Sequence, residues 1–333
     1  MKTWIFLFFW LGPFCLPAQT RVFDLEWADT LHRPRTRLLL AGGAVAYPAA
    51  MVGLWKAWYA DYPLGRFHFF NDNPEWNQMD KAGHLFSSYQ EARLGWSVSR
   101  WAGFTDRRAS WVGFGLAQLV QTSFEVMDGF SEQWGFSLGD VAFNTIGASA
   151  FTAQQLVWKE QRILFKMSAQ PIQHGNDLIY PAQGIGPPVR LADRSADLYG
   201  TGAVSLFLKN YNALVIWSSI NPASFLDQRP AWLPSWLNLA VGMGANNMYA
   251  GTGYEWQLDK NCQVPDCILY RLDPLVYPRS RQWLLSLDVD LSRLPVKNKT
   301  LKTFLSAVNI FKVPAPTLEW DGRGYWKLHP IYF

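Results

Sequence analysis

The sequence predicts an α+β protein with an N-terminal helical bundle and a C-terminal, mainly β region. Apolar residues recur with helical spacing before residue 170, whereas beyond residue 198 their period shifts towards two. A segment rich in Pro, Gly and polar residues separates the two patterns. We therefore predict a signal peptide at 1–18, a helical domain at 19–170, a linker at 171–197 and a mainly β region at 198–333.

The composition points to a membrane environment. Trp, Phe and Tyr make up 16% of the 333 residues, while charged residues reach only 17%. Such an aromatic excess is typical of chains that contact a membrane interface, although a large aromatic core would produce it as well. The formal net charge of +4 includes no long basic run, which argues against a nucleic-acid partner.

The N-terminus has the pattern of an export signal. Met1-Lys2 precedes an apolar run over 4–16, and the small residue before Gln19 offers a cleavage point. The mature chain is therefore expected to begin near Gln19, with an uncleaved N-terminal anchor as the alternative. Because the bulky Phe14 stands directly before Cys15, no lipid attachment is expected at that cysteine.

Two cysteines remain once the signal is removed. Cys262 and Cys267 lie five residues apart, with no His or further Cys close by in sequence to complete a metal site. In an exported chain this pair predicts a small disulfide loop and an oxidising compartment. The pair therefore supports export independently of the signal pattern.

Four helical segments are expected in the N-terminal half. The uncharged stretch 38–55, interrupted by Pro48, fits either a membrane span or a kinked buried helix. Three further segments, 80–104, 109–127 and 138–166, show helical periodicity, and the second of them carries its polar residues on one narrow face. Such helices pack their polar stripe inward, so the bundle is predicted to be small, membrane-associated and polar at its core.

In the C-terminal region, apolar and polar residues alternate as they do in β-strands. Asp321-Gly322-Arg323-Gly324 has the composition of a tight turn, and a helix is expected over 301–311. A terminal Phe333 is typical of outer-membrane barrels, but these barrels need at least about eight strands. We therefore predict a small sheet packed against the helices. Its strands are expected at 212–219, 236–243, 282–291, 316–320 and 325–331.

Ionisable residues inside the apolar helices form the candidate site. Their spacings of three and four place them on single helical faces, and a charge on an apolar helix is costly without a partner. We therefore expect the helices to direct them at one another. Ser137 is expected to cap the third helix, and Gly147 to allow close helix approach. The predicted cluster is Asp80, Lys81, His84, Glu125, Asp128, Asp140 and Asn144.

These residues resemble the YfiM-like family of predicted envelope lipoproteins, a domain of unknown function, and more distantly the VanZ-like membrane proteins. The shared pattern is Asp-Lys-x-x-His on one helix, an acidic group ending the next, and Ser-x-x-Asp with a later Gly on the third. It extends over residues 75–160. The resemblance implies a helical fold in the cell envelope, and VanZ-like relatives are linked to glycopeptide tolerance. The long C-terminal region and the Phe14-Cys15 pair depart from the short lipoprotein form.

Three chemical roles stay open for the cluster. It could be a structural polar network, a binding site for a lipid or other ligand, or a metal-dependent catalytic site. In the metal hypothesis His84, Glu125 and Asp128 are the candidate ligands, a donor set that suits Zn, Mn or Mg. No other cofactor is expected, because neither a phosphate loop nor a nucleotide fingerprint is present.

The sequence thus favours a membrane-associated structural or lipid-binding protein of the cell envelope. The expected partner is membrane lipid or another envelope component, and the expected location is the periplasmic face of the outer membrane. The alternative is a metal-dependent envelope hydrolase that acts on a phosphate or ester of a lipid or of the cell wall.

Overall fold

The computed structural model describes residues 25–60, 62–170, 172, 174–202, 207–257, 262 and 267–333. The predicted signal peptide and Cys15 lie outside these residues. Within them the chain forms helices first and mostly strands afterwards, which confirms the predicted α+β class. The helices are α1 (Arg33–Leu54), α2 (Met79–Trp101), α3 (Asp106–Gly129), α4 (Leu138–Val157), α5 (Leu191–Tyr199) and α6 (Lys299–Val308).

The strands occupy the second half of the chain except for the first of them. The larger sheet contains β1 (Ile163–Ala169), β5 (Leu214–Ile220), β6 (Leu237–Asn246), β9 (Ser280–Val289), β10 (Ala315–Asp321) and β11 (Trp326–Tyr332). Two small sheets contain β2 (Leu178–Ile179), β3 (Pro181–Gln183), β4 (Val189–Arg190), β7 (Glu255–Gln257) and β8 (Leu269–Arg271).

The first helix packs loosely on the rest of the molecule. α1 is long and apolar enough to cross a membrane, and none of its most apolar window is buried. Pro48 lies within it, and it ends in a π-helical turn, Trp55–Tyr59. The structure thus excludes the kinked buried helix, one of the two forms that the sequence allowed.

The helices α2, α3 and α4 form a bundle in which α2 packs against both of the others. Glycines set the close approach, because a Cβ at Gly95 would lie 2.8 Å from the Cα of Gly113. Similarly, a Cβ at Gly147 would overlap the carbonyl oxygen of Leu85. The apolar part of the bundle core consists of Tyr89, Ala92, Ala117, Ala148 and Phe151.

The third predicted helix is shorter than its pattern suggested. The sequence placed its end at Lys166, but α4 ends at Val157 and the chain turns at Lys159, whose φ is 60°. The following residues form β1, which pairs with β5 in antiparallel register from Ile163 opposite Ile220. The prediction was wrong here because long-range strand pairing outweighs local helical periodicity.

The larger sheet is antiparallel throughout, with the strand order β1-β5-β6-β9-β10-β11. All five strands and the helix predicted for this region are present within three residues of their expected ends. The sheet packs on the bundle through an apolar core that includes Met79 and Phe86 of α2, Met167 of β1 and Ile216 of β5.

The segment predicted as a linker contains secondary structure of its own. Strands β2, β3 and β4 and helix α5 fall wholly or largely within 171–197, and they pack around the buried Leu191 and Tyr270. The Cys262–Cys267 disulfide, with a Cα–Cα distance of 5.5 Å, follows β7 and confirms the predicted pairing. The domain boundaries stay a prediction, and the larger sheet takes its first strand from the N-terminal side of the linker.

Candidate functional site

Lys81 lies at the centre of the predicted cluster. Its side chain is 2% exposed, and its Nζ lies 2.5 Å from Asp72, 2.6 Å from Asp140 and 3.3 Å from Asp80. Three carboxylates surround one ammonium, so the group carries excess negative charge. Burial alone would lower the pKa of Lys81, but the carboxylates outweigh burial and raise this pKa. This buried cation therefore holds the first turn of α2 against the first turn of α4.

His84 stands one turn further along α2, on the same face as Asp80. Its Nδ1 lies 3.0 Å from Asn144 Oδ1 and 3.3 Å from Gln121 Oε1. Its Nε2 lies 3.8 Å from Asp80 and 3.5 Å from Asp140. Because both ring nitrogens face oxygen acceptors, the surroundings favour the doubly protonated imidazolium.

The electrostatics agree with this assignment. Burial on its own would lower the pKa of His84, but the nearby carboxylates of Asp80, Asp140 and Glu125 raise it to about 9. For the acids the balance is reversed, because burial raises the pKa of Glu125 to about 7 and that of Asp140 to about 8. Around neutral pH the cluster therefore holds a charged histidine beside carboxyl groups that are only partly ionised.

Glu125 lies on the α3 side of the cluster and is fully buried. One carboxylate oxygen accepts the backbone N–H of Ser137 at 3.3 Å, and the other accepts the Asn144 amide at 3.5 Å. Ser137 is the N-cap of α4, and its Oγ accepts the backbone N–H of Asp140 at 3.1 Å. These bonds join the start of α4 to the middle of the bundle.

Asp128 lies at the edge of the cluster and bonds a different partner. Its Oδ1 accepts the hydroxyl of Tyr59 at 2.7 Å, and burial raises the pKa of its carboxyl to about 7. Tyr59 belongs to the turn that follows α1. Asp128 therefore connects the cluster to α1 rather than lying at its centre.

Two members of the cluster were missed by the sequence analysis. Asp72, in the loop before α2, contacts Lys81 and accepts the hydroxyl of Ser137 at 2.6 Å. Tyr211, which precedes β5, donates its hydroxyl to Asp80 at 2.9 Å. Neither residue lies in a periodic segment, so no spacing signal could identify it.

A large open groove leads to the cluster from the α1 side. It has a volume of about 1730 Å³ and is lined by α1, α2 and α3, and on the side of the β region by residues of α5, of the segment before β5 and of β7. Its outer walls are apolar, and its inner end reaches Asp80, His84, Asp128 and Asp140. The apolar walls are lined by Leu39, Tyr47, Met51, Leu54, Leu94, Val98, Val112, Leu116, Leu119 and Phe124.

α1 reaches across this groove and is held by a few separate hydrogen bonds. Arg35 donates to the carbonyl of Trp101 at 2.8 Å near the start of the helix. Tyr47 and Ser123 share a hydrogen bond of 2.5 Å at its middle, and Tyr59 is bonded to Asp128 beyond its end. The helix is therefore tethered along its length without burying its apolar surface.

The groove also contains a buried acid that forms no ion pair among the described residues. One oxygen of Glu91 accepts the Gln121 amide at 2.9 Å, while the other has no hydrogen-bond partner there. Burial raises the pKa of this carboxyl to about 8. Gln121, in turn, contacts His84, so Glu91 continues the polar surface from the cluster along the groove.

The atoms that could hold a metal ion differ from the predicted set. Among the described residues, ligand atoms of Asp80, His84 and Asp140 lie within 4.8 Å of one another. The sequence had proposed His84, Glu125 and Asp128, but the last two are bonded to Ser137, Asn144 and Tyr59. Lys81 already contacts the carboxylates of Asp80 and Asp140, so a metal ion held by Asp80, His84 and Asp140 would compete with the Lys81 ammonium for them.

The bundle of α2, α3 and α4 is thus a small helical domain with a buried ion-pair network at its core, and this core opens into an apolar groove. Residues 68–155 match a family model described as a predicted periplasmic lipoprotein (DUF2279). The match includes all the cluster residues from Asp72 to Asn144, while the β region lies outside it. No curated protein and no solved structure matches the chain significantly. The family match supports an exported envelope protein with an uncharacterised domain.

Proposed function

We propose that this protein binds an amphiphilic lipid of the cell envelope, with the apolar chains in the groove and the headgroup against the cluster. The observation that carries this proposal is the continuity of the groove. A single cavity connects apolar walls on α1, α2 and α3 with Asp80 and His84 at its inner end. Apolar walls with a few converging polar groups are the usual composition of a ligand site.

The charges favour a headgroup that donates hydrogen bonds. The polar end of the groove is lined by the carboxyl groups of Glu91, Asp80, Asp128 and Asp140 and by His84, and the cation Lys81 lies behind them, 2% exposed. An ammonium or hydroxyl group would meet these acceptors without adding negative charge. An amine-bearing headgroup such as ethanolamine is therefore the preferred chemistry.

The location that we propose is the periplasmic face of the outer membrane. The family match supports export, and the unburied apolar helix α1 supports contact with a bilayer. We also propose that the helical domain is related to the YfiM-like lipoproteins and, more distantly, to the VanZ-like proteins. Membrane lipid is then the partner that the protein binds.

Filling the groove tests the binding proposal directly. Gly83 lines the groove, and a Cβ built there meets nothing within 4 Å, so Gly83→Leu should occupy the space without a clash. The full chain should be purified in mild detergent, and the retained phosphatidylethanolamine measured by native mass spectrometry. The wild type should keep lipid that Gly83→Leu loses.

Gly115 provides the matched control for this experiment. It is exposed on α3, does not line the groove, and also has nothing within 4 Å of a built Cβ. Gly115→Leu should therefore retain lipid as the wild type does. Equal retention in both variants, or no specific lipid in the wild type, would refute the binding proposal.

The second candidate function is a metal-dependent hydrolase, favoured by the grouping of Asp80, His84 and Asp140. Elemental analysis of the purified chain and of His84→Ala separates the two functions. A hydrolase requires stoichiometric metal in the wild type, loss of that metal in the variant, and cleavage of a phosphate or ester substrate. A lipid-binding protein without catalysis should show lipid retention and no such metal.

A further inference from the structure

The outward face of the larger sheet is apolar across four neighbouring strands. Its side chains are between 37 and 70% exposed, and each points away from the buried side of the sheet. The residues are Leu239 and Val241 of β6, Trp283, Leu285 and Leu287 of β9, Leu318 and Trp320 of β10, and Trp326 and Leu328 of β11. We call this surface the outer sheet face.

The opposite side of the same strands is buried and carries polar groups beside a small apolar cluster that includes Ala240, Leu284 and Tyr332. Asp288 pairs there with Lys166 at 2.8 Å, and Glu319 accepts the Gln282 amide at 2.6 Å. Thr317 also donates to Ser286 at 2.9 Å. Sheets that face water usually show the reverse arrangement, with apolar residues inward and polar residues outward. Apolar residues outward and polar residues inward are characteristic of sheets that face lipid.

The register arranges the outer sheet face in rows. Trp283 lies opposite Trp320, and Trp320 lies opposite Trp326, so three indoles cross three strands side by side. The adjacent row is aliphatic and consists of Val241, Leu285, Leu318 and Leu328. Tryptophan is enriched at the membrane–water boundary, and an aliphatic row beside it suits acyl chains.

The charges around this face are cationic. All four Asp and Glu residues between residues 280 and 333 are buried, at 7% exposure or less. Arg323 of the turn before β11 is exposed at the tryptophan end, and Lys327 is exposed on the other side of the edge strand β11. At the other end of the strands α6 exposes Phe304, and also Leu301, which lies between Lys299 and Lys302. A basic helix with an exposed apolar side is typical of an element that lies on an anionic membrane.

We propose that the outer sheet face is a membrane-docking surface whose side chains insert among the acyl chains of an anionic bilayer. The sheet lies flat on the membrane, so that the unpaired backbone groups of its edge strands stay at headgroup level, where water reaches them. Pro330, which has no N–H group, and Lys327 in β11 suit such an edge. The surface is separate from the groove, and the proposal does not depend on lipid binding there.

A local probe tests this surface without interference from α1. An environment-sensitive fluorophore is attached to Leu285→Cys in the full chain, with Cys15→Ser included and the Cys262–Cys267 disulfide intact. The protein is mixed with vesicles of phosphatidylethanolamine and phosphatidylglycerol that contain lipids brominated in their acyl chains. The label should lose most of its emission to bromine quenching and be shielded from aqueous iodide.

The same label on Leu275→Cys is the matched control. Leu275 is 92% exposed in the loop before β9 and is not part of the outer sheet face, so iodide should quench its label and brominated lipid should not. The proposal is overturned if the Leu285 label behaves like the control. It is equally overturned if that label is protected from both quenchers, because a protein partner or a second copy of the chain would then cover the face.

Discussion

Replacing Lys81 by Met should destabilise the folded protein strongly, because it removes the cation from a buried cluster of acids. Lys81 is 2% exposed and lies within 3.3 Å of three carboxylates. Met has a similar volume, so the change leaves the packing almost intact and removes mainly the charge. The experiment therefore measures how much the ion pairs contribute to the stability of the bundle.

The magnitude follows from the burial of each acid that loses its partner. Asp80 and Asp72, at 24% and 16% side-chain exposure, can be partly rehydrated, whereas Asp140 at 5% cannot. Removal of one partner from a buried ion pair costs about 3–5 kcal/mol. We expect a loss of up to about 3 kcal/mol at pH 8, because Asp140 is only partly ionised there and loses the ammonium that offsets its burial.

The loss should depend on pH in a predictable direction. Burial raises the folded-state pKa of Asp140 to about 8, above its ordinary 3.8, so this carboxyl is largely neutral in the folded protein at lower pH. A neutral Asp140 no longer needs the ammonium. The deficit of the Lys81→Met variant should therefore be smaller at pH 5 and increase as the pH rises towards 8.

Denaturant unfolding in detergent, followed by circular dichroism at several pH values, is the appropriate assay. Lys159→Met is the matched control, because Lys159 is 64% exposed and its Nζ lies 3.9 Å from Asp106. An exposed pair of this kind contributes about 1 kcal/mol or less. The reasoning is refuted if the two variants lose equal stability, or if the Lys81 deficit does not change with pH.

Three further outcomes are expected. The pKa of His84 is raised from 6.5 to about 9, so its stabilising contribution is complete below pH 6.5 and is lost as the pH rises through 9. The unfolding free energy should fall across this window by on the order of 3 kcal/mol in pH-resolved denaturant titrations, and His84→Gln should flatten the profile. Gly147→Ala should lower the melting temperature, because its Cβ would overlap the Leu85 carbonyl, at a cost of about 1–3 kcal/mol. Gly115→Ala, with open space around its Cβ, should raise stability by up to about 1 kcal/mol, and equal effects of the two alanines would contradict the packing argument.

Helical spacing explains what the sequence could predict about the cluster. Asp80 and His84 are four residues apart, so any helix places them on one face, and in the structure their side chains lie 3.8 Å apart. The partners on other helices, such as Asn144, could be expected only as a group, because spacing does not specify which helices meet. The candidate metal trio shows this limit, because Asp80 and Asp140 join His84 in the structure in place of Glu125 and Asp128.

Long-range contacts explain most of what the sequence could not predict. Tyr211 donates a hydrogen bond to Asp80, 131 positions away in the chain, and no local sequence pattern predicts such a contact. The first strand of the larger sheet was likewise assigned to a helix, because its pairing with β5 depends on residues about 50 positions away. Strands whose partners are near neighbours in sequence, such as β10 and β11, were predicted correctly from their alternation and the turn between them.

The uneven packing of the helices determines which part of the groove can adapt to different ligands. α2 meets α3 and α4 through glycines at backbone contact, so these helices cannot slide past one another without a clash or separate without losing these contacts. α1 contributes none of these contacts and is tethered through Arg35, Tyr47 and Tyr59. One wall of the groove is therefore fixed and the other adjustable. For the lipid ligand that we propose, selectivity for the headgroup would reside in the rigid wall, and tolerance for chains of different length and saturation would reside in α1.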